Sequence, residues 1–179
     1  MTTSNQSGST LTSELSEDLT ESALSPIVVL LTPAQISAHW SQLSIGIAIG
    51  SGVQQEQADQ FCTNMLQALL TGHAHCWLIC SKDEHKRILG VATTTKTMDT
   101  ISGTSSLLIY SLYAYGVMGL SIWQECFRVL SVYARMWKLD KIVAYSSNKR
   151  VIEMAKRYGA TAEQVVLEME ILPLEKTDE

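Results

Sequence analysis

The residues best suited to chemistry lie in a glycine-containing turn, Gly116-Val-Met-Gly119-Leu-Ser121. An uncharged, aromatic-rich run of residues 107–115 precedes the turn, and an amphipathic helical pattern from about Leu120 to Lys138 follows it. A strand that passes through a glycine turn into a helix presents main-chain N–H groups to phosphate oxygens. The arrangement therefore predicts a site for a phosphorylated ligand.

A second strand and helix follow. Residues 142–145 form a strand pattern, and Ser146-Ser-Asn148 leads into a short helix that ends at Gly159. The range Arg135–Arg157 contains seven basic and two acidic residues. Such a basic surface suits phosphate, from a nucleotide cofactor or from nucleic acid. The alternative is a solvated face with no partner.

Composition predicts one folded domain over residues 26–172 of the 179. The net charge of −5 arises in the tails. Residues 1–25 are rich in Ser and Thr and carry four acids and no base, and 173–179 form a charged C-terminal tail. We expect residues 1–25 to be disordered or bound to a partner, such as another protein of a larger assembly.

The four cysteines show neither the spacing of a disulfide framework nor a preceding secretory signal, which favours a reduced, cytoplasmic setting. His73 and His75 lie beside Cys76 and Cys80 in a strand pattern. Because side chains alternate faces along a strand, the two histidines should point away from the two cysteines. We therefore expect core cysteines and no common metal site.

The uncharged stretch around residues 107–123 could also be interpreted as a membrane span. A spanning helix needs about 20 strongly apolar residues. This stretch is shorter, contains three tyrosines and two serines, and has Gly116 and Gly119 near its middle. We therefore predict a buried strand that enters a helix, and no membrane segment.

The remaining pattern predicts the element order β-αα-ββ-β-α-β-α-β. Residues 27–31 form a strand, and Thr32-Pro33-Ala-Gln35 is a helix start with a capping box and proline at the first helical position. Further predicted elements are a helix to Ile49, a helix over 54–70, a hairpin of 74–81 and 87–96, and a last strand over 162–172. The long helix is predicted to bury one stripe of residues: Leu120, Trp123, Phe127, Leu130, Ala134 and Trp137.

This order resembles the GNAT superfamily of acyl-CoA-dependent N-acyltransferases over residues 27–172. Gly116-Val-Met-Gly119-Leu-Ser121 matches the family's pyrophosphate loop at its central glycine, Gly119, but not at its leading Arg/Gln. A second family motif falls on residues 148–160 and agrees at Asn148, Ile152 and Gly159. The resemblance implies an α/β (α+β) fold with a mixed, mostly antiparallel sheet of about six strands, flanked by four helices.

The resemblance also implies a reaction, with departures that affect it. The family's tyrosine, which protonates the departing CoA thiolate, is replaced by Ala155, and Tyr158 lies one turn further on. The central strand offers Ser111 where many relatives carry a glutamate base. His75 or Asp99 could act through water. Tyr158 and Ser111 are thus the candidate catalytic residues.

Two functions from different classes follow. The first is acetyl transfer from acetyl-CoA to a primary amine, with the pyrophosphate on residues 116–121 and Asn148 and Arg150 also contacting CoA. The second is a non-catalytic GNAT-fold protein. The pattern Asn148, Ile152, Lys156, Gly159 and Ala160 resembles GNAT-like proteins of tailed phages, which implies a virion component ejected with the DNA. Nucleic-acid binding through residues 135–157 is a third hypothesis.

Overall fold

The computed structural model describes residues 26–83, 87–146 and 148–162. The chain divides after Ala144 into two compact units, and each is described by itself. The first unit contains β1 (Pro26–Leu30), α1 (Pro33–Ser51), a short 3-10 helix (Gln55–Gln57), α2 (Ala58–Leu70), β2 (Ala74–Ser81), β3 (Ile88–Met98), β4 (Ser105–Ala114), α3 (Leu120–Met136) and β5 (Lys141–Ala144). The second unit contains α4 (Lys149–Arg157).

The strands form one sheet in the order β1-β2-β3-β4-β5. All neighbours pair antiparallel except β4 and β5, which are parallel. The predicted mixed, mostly antiparallel sheet and the four helices are confirmed for the described residues. The sheet there has five strands, where about six were predicted. The predicted last strand falls beyond Ala162, outside the described residues, as do the predicted tails 1–25 and 173–179.

Two hydrophobic clusters lie on opposite faces of the sheet. Cys76 and Val91 pack with side chains of α1 and α2. Their neighbours Trp77 and Ala92 pack with Leu130 and other side chains of α3. Because adjacent strand residues point to opposite faces, α1 and α2 cover one side of the sheet and α3 covers the other. The sheet is thus a central layer between two helical layers.

The start of α1 follows the predicted capping box. The Gln35 N–H donates to Thr32 Oγ1 at 3.4 Å, and the Thr32 N–H donates to Gln35 Oε1 at 2.9 Å. Pro33 occupies the first turn, where its missing N–H leaves no bond unmade. The helix ends two residues later than predicted, at Ser51, and Gly52 supplies the left-handed cap with φ of 71°.

The predicted buried stripe of α3 is wrong at both ends. Leu120 is 47% exposed and Trp137 is 53% exposed. Leu120 is the first helical residue, and Trp137 lies just after the last. The buried face of α3 instead comprises Ile122, Trp123, Cys126, Leu130, Tyr133 and Ala134.

The predicted alternation of His75 and Cys76 is confirmed. Cys76 packs on the α1 and α2 side, whereas His75 bonds to Tyr133 on the α3 side. Burial raises the pKa of the Cys76 thiol to about 12, so this thiol stays protonated. Among the described residues, no three His, Cys, Asp or Glu side chains are placed to hold a metal ion. No helix within those residues is long and apolar enough to cross a bilayer.

Two glycines on one side of α1 let the helix lie directly on β4. A Cβ at Gly46 would stand 2.9 Å from Val91 Cγ1 and 2.9 Å from the Tyr115 hydroxyl. A Cβ at Gly50 would stand 2.8 Å from the main-chain carbon of Leu112. Side chains can shift, whereas the backbone of a strand inside a sheet cannot. Gly50 is therefore the less replaceable of the two.

We expect Gly50→Ala to destabilise the fold by about 1–3 kcal/mol, as an overpacked contact does. Without the contact, the change would stabilise a helix by about 0.5–1 kcal/mol. Urea unfolding measures the difference. Gly116→Ala is the control, because a Cβ there meets no atom within 4 Å. Equal stability of the two variants would contradict the close approach of α1 to β4.

His75 joins β2 to α3. Its Nε2 lies 2.9 Å from the Tyr133 hydroxyl, and its ring meets the Tyr133 ring edge-on at 5.3 Å. Burial is the main cause that lowers the pKa of His75, and the positive charge of Lys96 adds to it. The folded protein therefore holds His75 neutral at a pH where the unfolded chain already takes up a proton.

We expect this difference to make the fold acid-sensitive. As the pH falls below about 6.5, the ordinary value for histidine, the unfolded state binds a proton that folded His75 refuses, so the free energy of unfolding decreases. Urea unfolding at pH 7.5 and pH 5.0 measures that decrease. It should be smaller in His75→Gln and unchanged in His39→Gln, whose side chain is exposed. An undiminished decrease in His75→Gln would refute this assignment.

Candidate functional site

The pairing between β4 and β5 stops halfway along β4. The last paired residues are Ile109 and Ala144, and β4 continues for five more residues, to Ala114. A bulge begins where the pairing ends, because Thr93 of β3 pairs with Ser111 and Thr94 pairs with Ile109. Tyr110 is the extra residue. A bulge twists its strand locally, so β4 leaves the line of β5 at this point.

The unpaired part of β4 presents main-chain groups to the open side. The Tyr115 N–H donates to the Leu89 carbonyl at 3.0 Å, on the β3 side. Main-chain groups of an antiparallel ladder alternate in direction. The N–H and C=O groups of Leu112 and Ala114 therefore face away from β3, where no described strand pairs with them. This edge can bond a ligand in an extended conformation.

Five residues separate the end of β4 from the start of α3, and the N-cap residue of α3 makes no side-chain hydrogen bond. Gly119 is the N-cap, with φ of −73° and ψ of 171°, and no side chain bonds to the first amides. The first intrahelical bond runs from the Trp123 N–H to the Gly119 carbonyl at 3.2 Å. The N–H groups of Leu120, Ser121 and Ile122 have no acceptor among the described residues. The first turn carries no acid, so the positive end of the helix dipole is not neutralised.

The predicted phosphate loop passes from two exposed residues, 116 and 117, to two buried ones, 118 and 119. Val117 is 72% exposed, and Gly116 is exposed as well. Met118 is buried and closes a small apolar cavity between α3 and the sheet, together with Trp123 and Phe127. Met118 thus anchors the loop on its buried side, while Gly116 and Val117 stay accessible. Gly119 is buried, and Ser121 is half-buried.

Ser111, one of the two predicted catalytic residues, lies inside the sheet. Its hydroxyl is 2.7 Å from the hydroxyl of Thr93, and their residues are only 3% and 0% exposed. One hydroxyl therefore donates a hydrogen bond to the other, so each has a partner without water. This pair bridges β3 and β4 immediately beside the bulge. Its position gives Ser111 a structural role in holding the bulged strand.

We expect Ser111→Ala to destabilise the fold by about 1–3 kcal/mol, because it leaves the Thr93 hydroxyl buried without a partner. The double variant Thr93→Val/Ser111→Ala should lose less than the sum of the two single changes. Chemical denaturation of the four proteins gives the coupling energy. Additive losses would show that the two hydroxyls do not depend on each other.

His75 and Asp99, the predicted alternatives, are engaged elsewhere. His75 bonds to Tyr133, as described above. The Asp99 carboxylate accepts from the Ser102 hydroxyl at 2.7 Å and from the Ile101 N–H at 3.0 Å, in the turn between β3 and β4. These hydrogen bonds lower the pKa of Asp99, and the bond from the Ser102 hydroxyl has the largest effect. A carboxylate with a lowered pKa is a weaker base.

The second unit contains the other predicted residues. Asn148 is the N-cap of α4, and its Oδ1 accepts from the Arg150 N–H at 3.0 Å. The Arg150 side chain is exposed. Tyr158 follows the end of the helix and is 38% exposed. Ala155, at the position of the family's tyrosine, is half-buried. Asn148 thus caps α4, and its contact with CoA stays a prediction.

The fold can be compared with known proteins. No protein-family model and no curated protein matches the sequence. A predicted acetyltransferase from Clostridium acetobutylicum, solved with acetyl-CoA, has a TM-score of 0.61 and 16% identity, over 81% of this chain and 96% of that one. A ribosomal-protein-alanine N-acetyltransferase from Brucella melitensis has a TM-score of 0.58 and 13% identity, over 82% and 99% of the chains. A GNAT family acetyltransferase from Staphylococcus aureus has a TM-score of 0.57 and 10% identity, over 83% and 100%.

This chain has the GNAT fold. The predicted fold class is therefore confirmed, and identities this low extend the likeness to the fold alone. The bulge at Tyr110 and the approach of α1 to β4 were not predicted from the sequence. Gly46 and Gly50 stand four residues apart on one helix face, which is a sequence signal of close packing. The bulge has no such signal, because Tyr110 suits a regular strand equally well.

Proposed function

We propose that this protein binds acetyl-CoA and transfers its acetyl group to a primary amine. One observation supports the proposal. The start of α3 has no side-chain cap, and five residues separate it from the end of β4, whose open edge pairs with no described strand. Together they offer two sets of main-chain donors, one for a compact anion and one for an extended chain. The solved relative with acetyl-CoA supports the choice of ligand by its fold.

The main chain would do most of the work. The N–H groups of Leu120, Ser121 and Ile122 would receive the pyrophosphate oxygens, and the edge of β4 at Leu112 and Ala114 would receive the extended part of CoA. An N–H at that edge would also polarise the thioester carbonyl. The neutral amine nitrogen would then attack the carbonyl carbon, the carbon–sulfur bond would break to release the CoA thiolate, and the proton lost by the amine would pass to solvent water.

Acetyl transfer of this kind needs little from side chains. The thioester is already reactive, and positioning alone lowers the barrier by about 7–11 kcal/mol. Tyr158 would return a proton to the CoA sulfur, and Arg150 and Asn148 would contact CoA, as the family resemblance implies. Ser111 is buried with Thr93, so it would act only by holding the bulged strand.

We expect Leu120→Asp to separate binding from folding. Leu120 is exposed at the first helical position. A carboxylate there favours the helix dipole by about 0.3–1 kcal/mol, so stability should not fall. The same charge near a pyrophosphate costs about 1–4 kcal/mol at about 4 Å, so the affinity for acetyl-CoA should fall about tenfold or more. Isothermal titration calorimetry measures this affinity for acetyl-CoA.

Leu120→Asn is the matched control, because it has the same shape without the charge. It should bind acetyl-CoA within about twofold of the unmodified protein. Absence of heat at millimolar acetyl-CoA in the unmodified protein would end the proposal. Equal affinity of Leu120→Asp and Leu120→Asn would place the ligand somewhere other than the start of α3.

We also propose a second candidate, a non-catalytic GNAT-fold protein such as a virion component. It is favoured by Ala155 at the family's acid position and by the enclosure of Ser111 with Thr93. The two candidates differ in turnover. Incubation with acetyl-CoA and a panel of amines, followed by mass spectrometry, should show acetylated amine under the first. Acetyl-CoA binding without any acetylated product would favour the second.

A further inference from the structure

The exposed side of α4 carries a concentrated positive charge, of which the proposed acetyl transfer uses only Arg150. Lys149, Arg150, Lys156 and Arg157 are all exposed, and Glu153 is the one acid of the helix. The nine-residue helix therefore has a net charge of +3. Lys149, Lys156 and Arg157 make no ion pair with a described residue.

These four bases form two columns along one helix face. Lys149 and Lys156 are seven residues apart, and so are Arg150 and Arg157. Seven residues are close to two helical turns, so each column spans about 10.5 Å. Duplex DNA carries about six phosphates in that length, at one per 1.7 Å. We propose that this basic face of α4 binds the phosphate backbone of nucleic acid, independently of any acyl-CoA function.

The opposite side of α4 argues against a membrane as the partner. A basic helix that binds lipid inserts an exposed apolar face between the headgroups. The apolar residues of α4 are Val151, Ile152, Met154 and Ala155, and each of them is half-buried. None of the four is exposed, so α4 offers charge to a partner but no apolar face.

The net charge of the chain, −5, does not prevent such binding. All of the 13 lysines and arginines lie at or after Lys82, and residues 1–81 carry six acids and no base. Charges separated by more than about 8 Å are largely screened at physiological salt. The local charge of α4 therefore decides the contact with a phosphate backbone. Glu153, centred among the bases in sequence, weakens it.

The test is fluorescence anisotropy of the full chain with a labelled 20-base-pair DNA duplex of random sequence, from 50 to 200 mM NaCl. We expect Lys156→Gln/Arg157→Gln to weaken binding about tenfold or more at 50 mM. Its plot of log affinity against log salt should be shallower by about 1.8, which is 0.9 for each lost phosphate contact. Glu153→Gln should bind more tightly than the unmodified protein.

Lys82→Gln/Arg135→Gln is the matched control, since it removes the same charge from exposed positions outside α4. It should bind DNA within about twofold of the unmodified protein. Equal weakening of both double variants would overturn the proposal, because net charge would then explain the binding. Undetectable binding at 50 mM NaCl would overturn it too, as would binding to phosphatidylserine vesicles in place of DNA.

Discussion

The proposed site depends on main-chain N–H groups that have no hydrogen-bond acceptor among the described residues. Two sets occur close together in sequence, at the end of β4 and at the start of α3. The first exists because β5 stops pairing at Ile109, where the bulge at Tyr110 begins. The second exists because Gly119 contributes no capping side chain. Main-chain groups need hydrogen bonds, and no described residue supplies them at these two places.

The rest of the first unit holds these donors in place. Gly50 brings α1 onto the backbone of Leu112, and the Thr93–Ser111 pair fixes the strand beside the bulge. Met118 anchors the loop between β4 and α3 from below. The Thr93–Ser111 pair and Met118 act on neighbours of the open donors, whereas Gly50 lies against the main chain of Leu112 itself.

Local signals predicted much of this fold. The start of α1 is specified by Pro33 and by hydrogen bonds between Thr32 and Gln35. These two residues are only three positions apart, so the sequence determines the helix start directly. The alternation of His75 and Cys76 follows from strand geometry alone. The exposure of Leu120 and Trp137 could not be predicted, since it depends on tertiary packing at the two ends of α3 and not on the apolar spacing of the helix. The partner of Ser111 lies 18 residues away, and that pairing depends on a strand register shifted by a bulge.

The most direct test of the account is an amide NMR titration of the full chain with CoA. The account predicts that the largest shifts occur at Leu120, Ser121 and Ile122, with a second group at Leu112 and Ala114, whereas amides of α1 and α2 change little. Shifts that spare the start of α3, or that concentrate on the α1 and α2 side of the sheet, would contradict it.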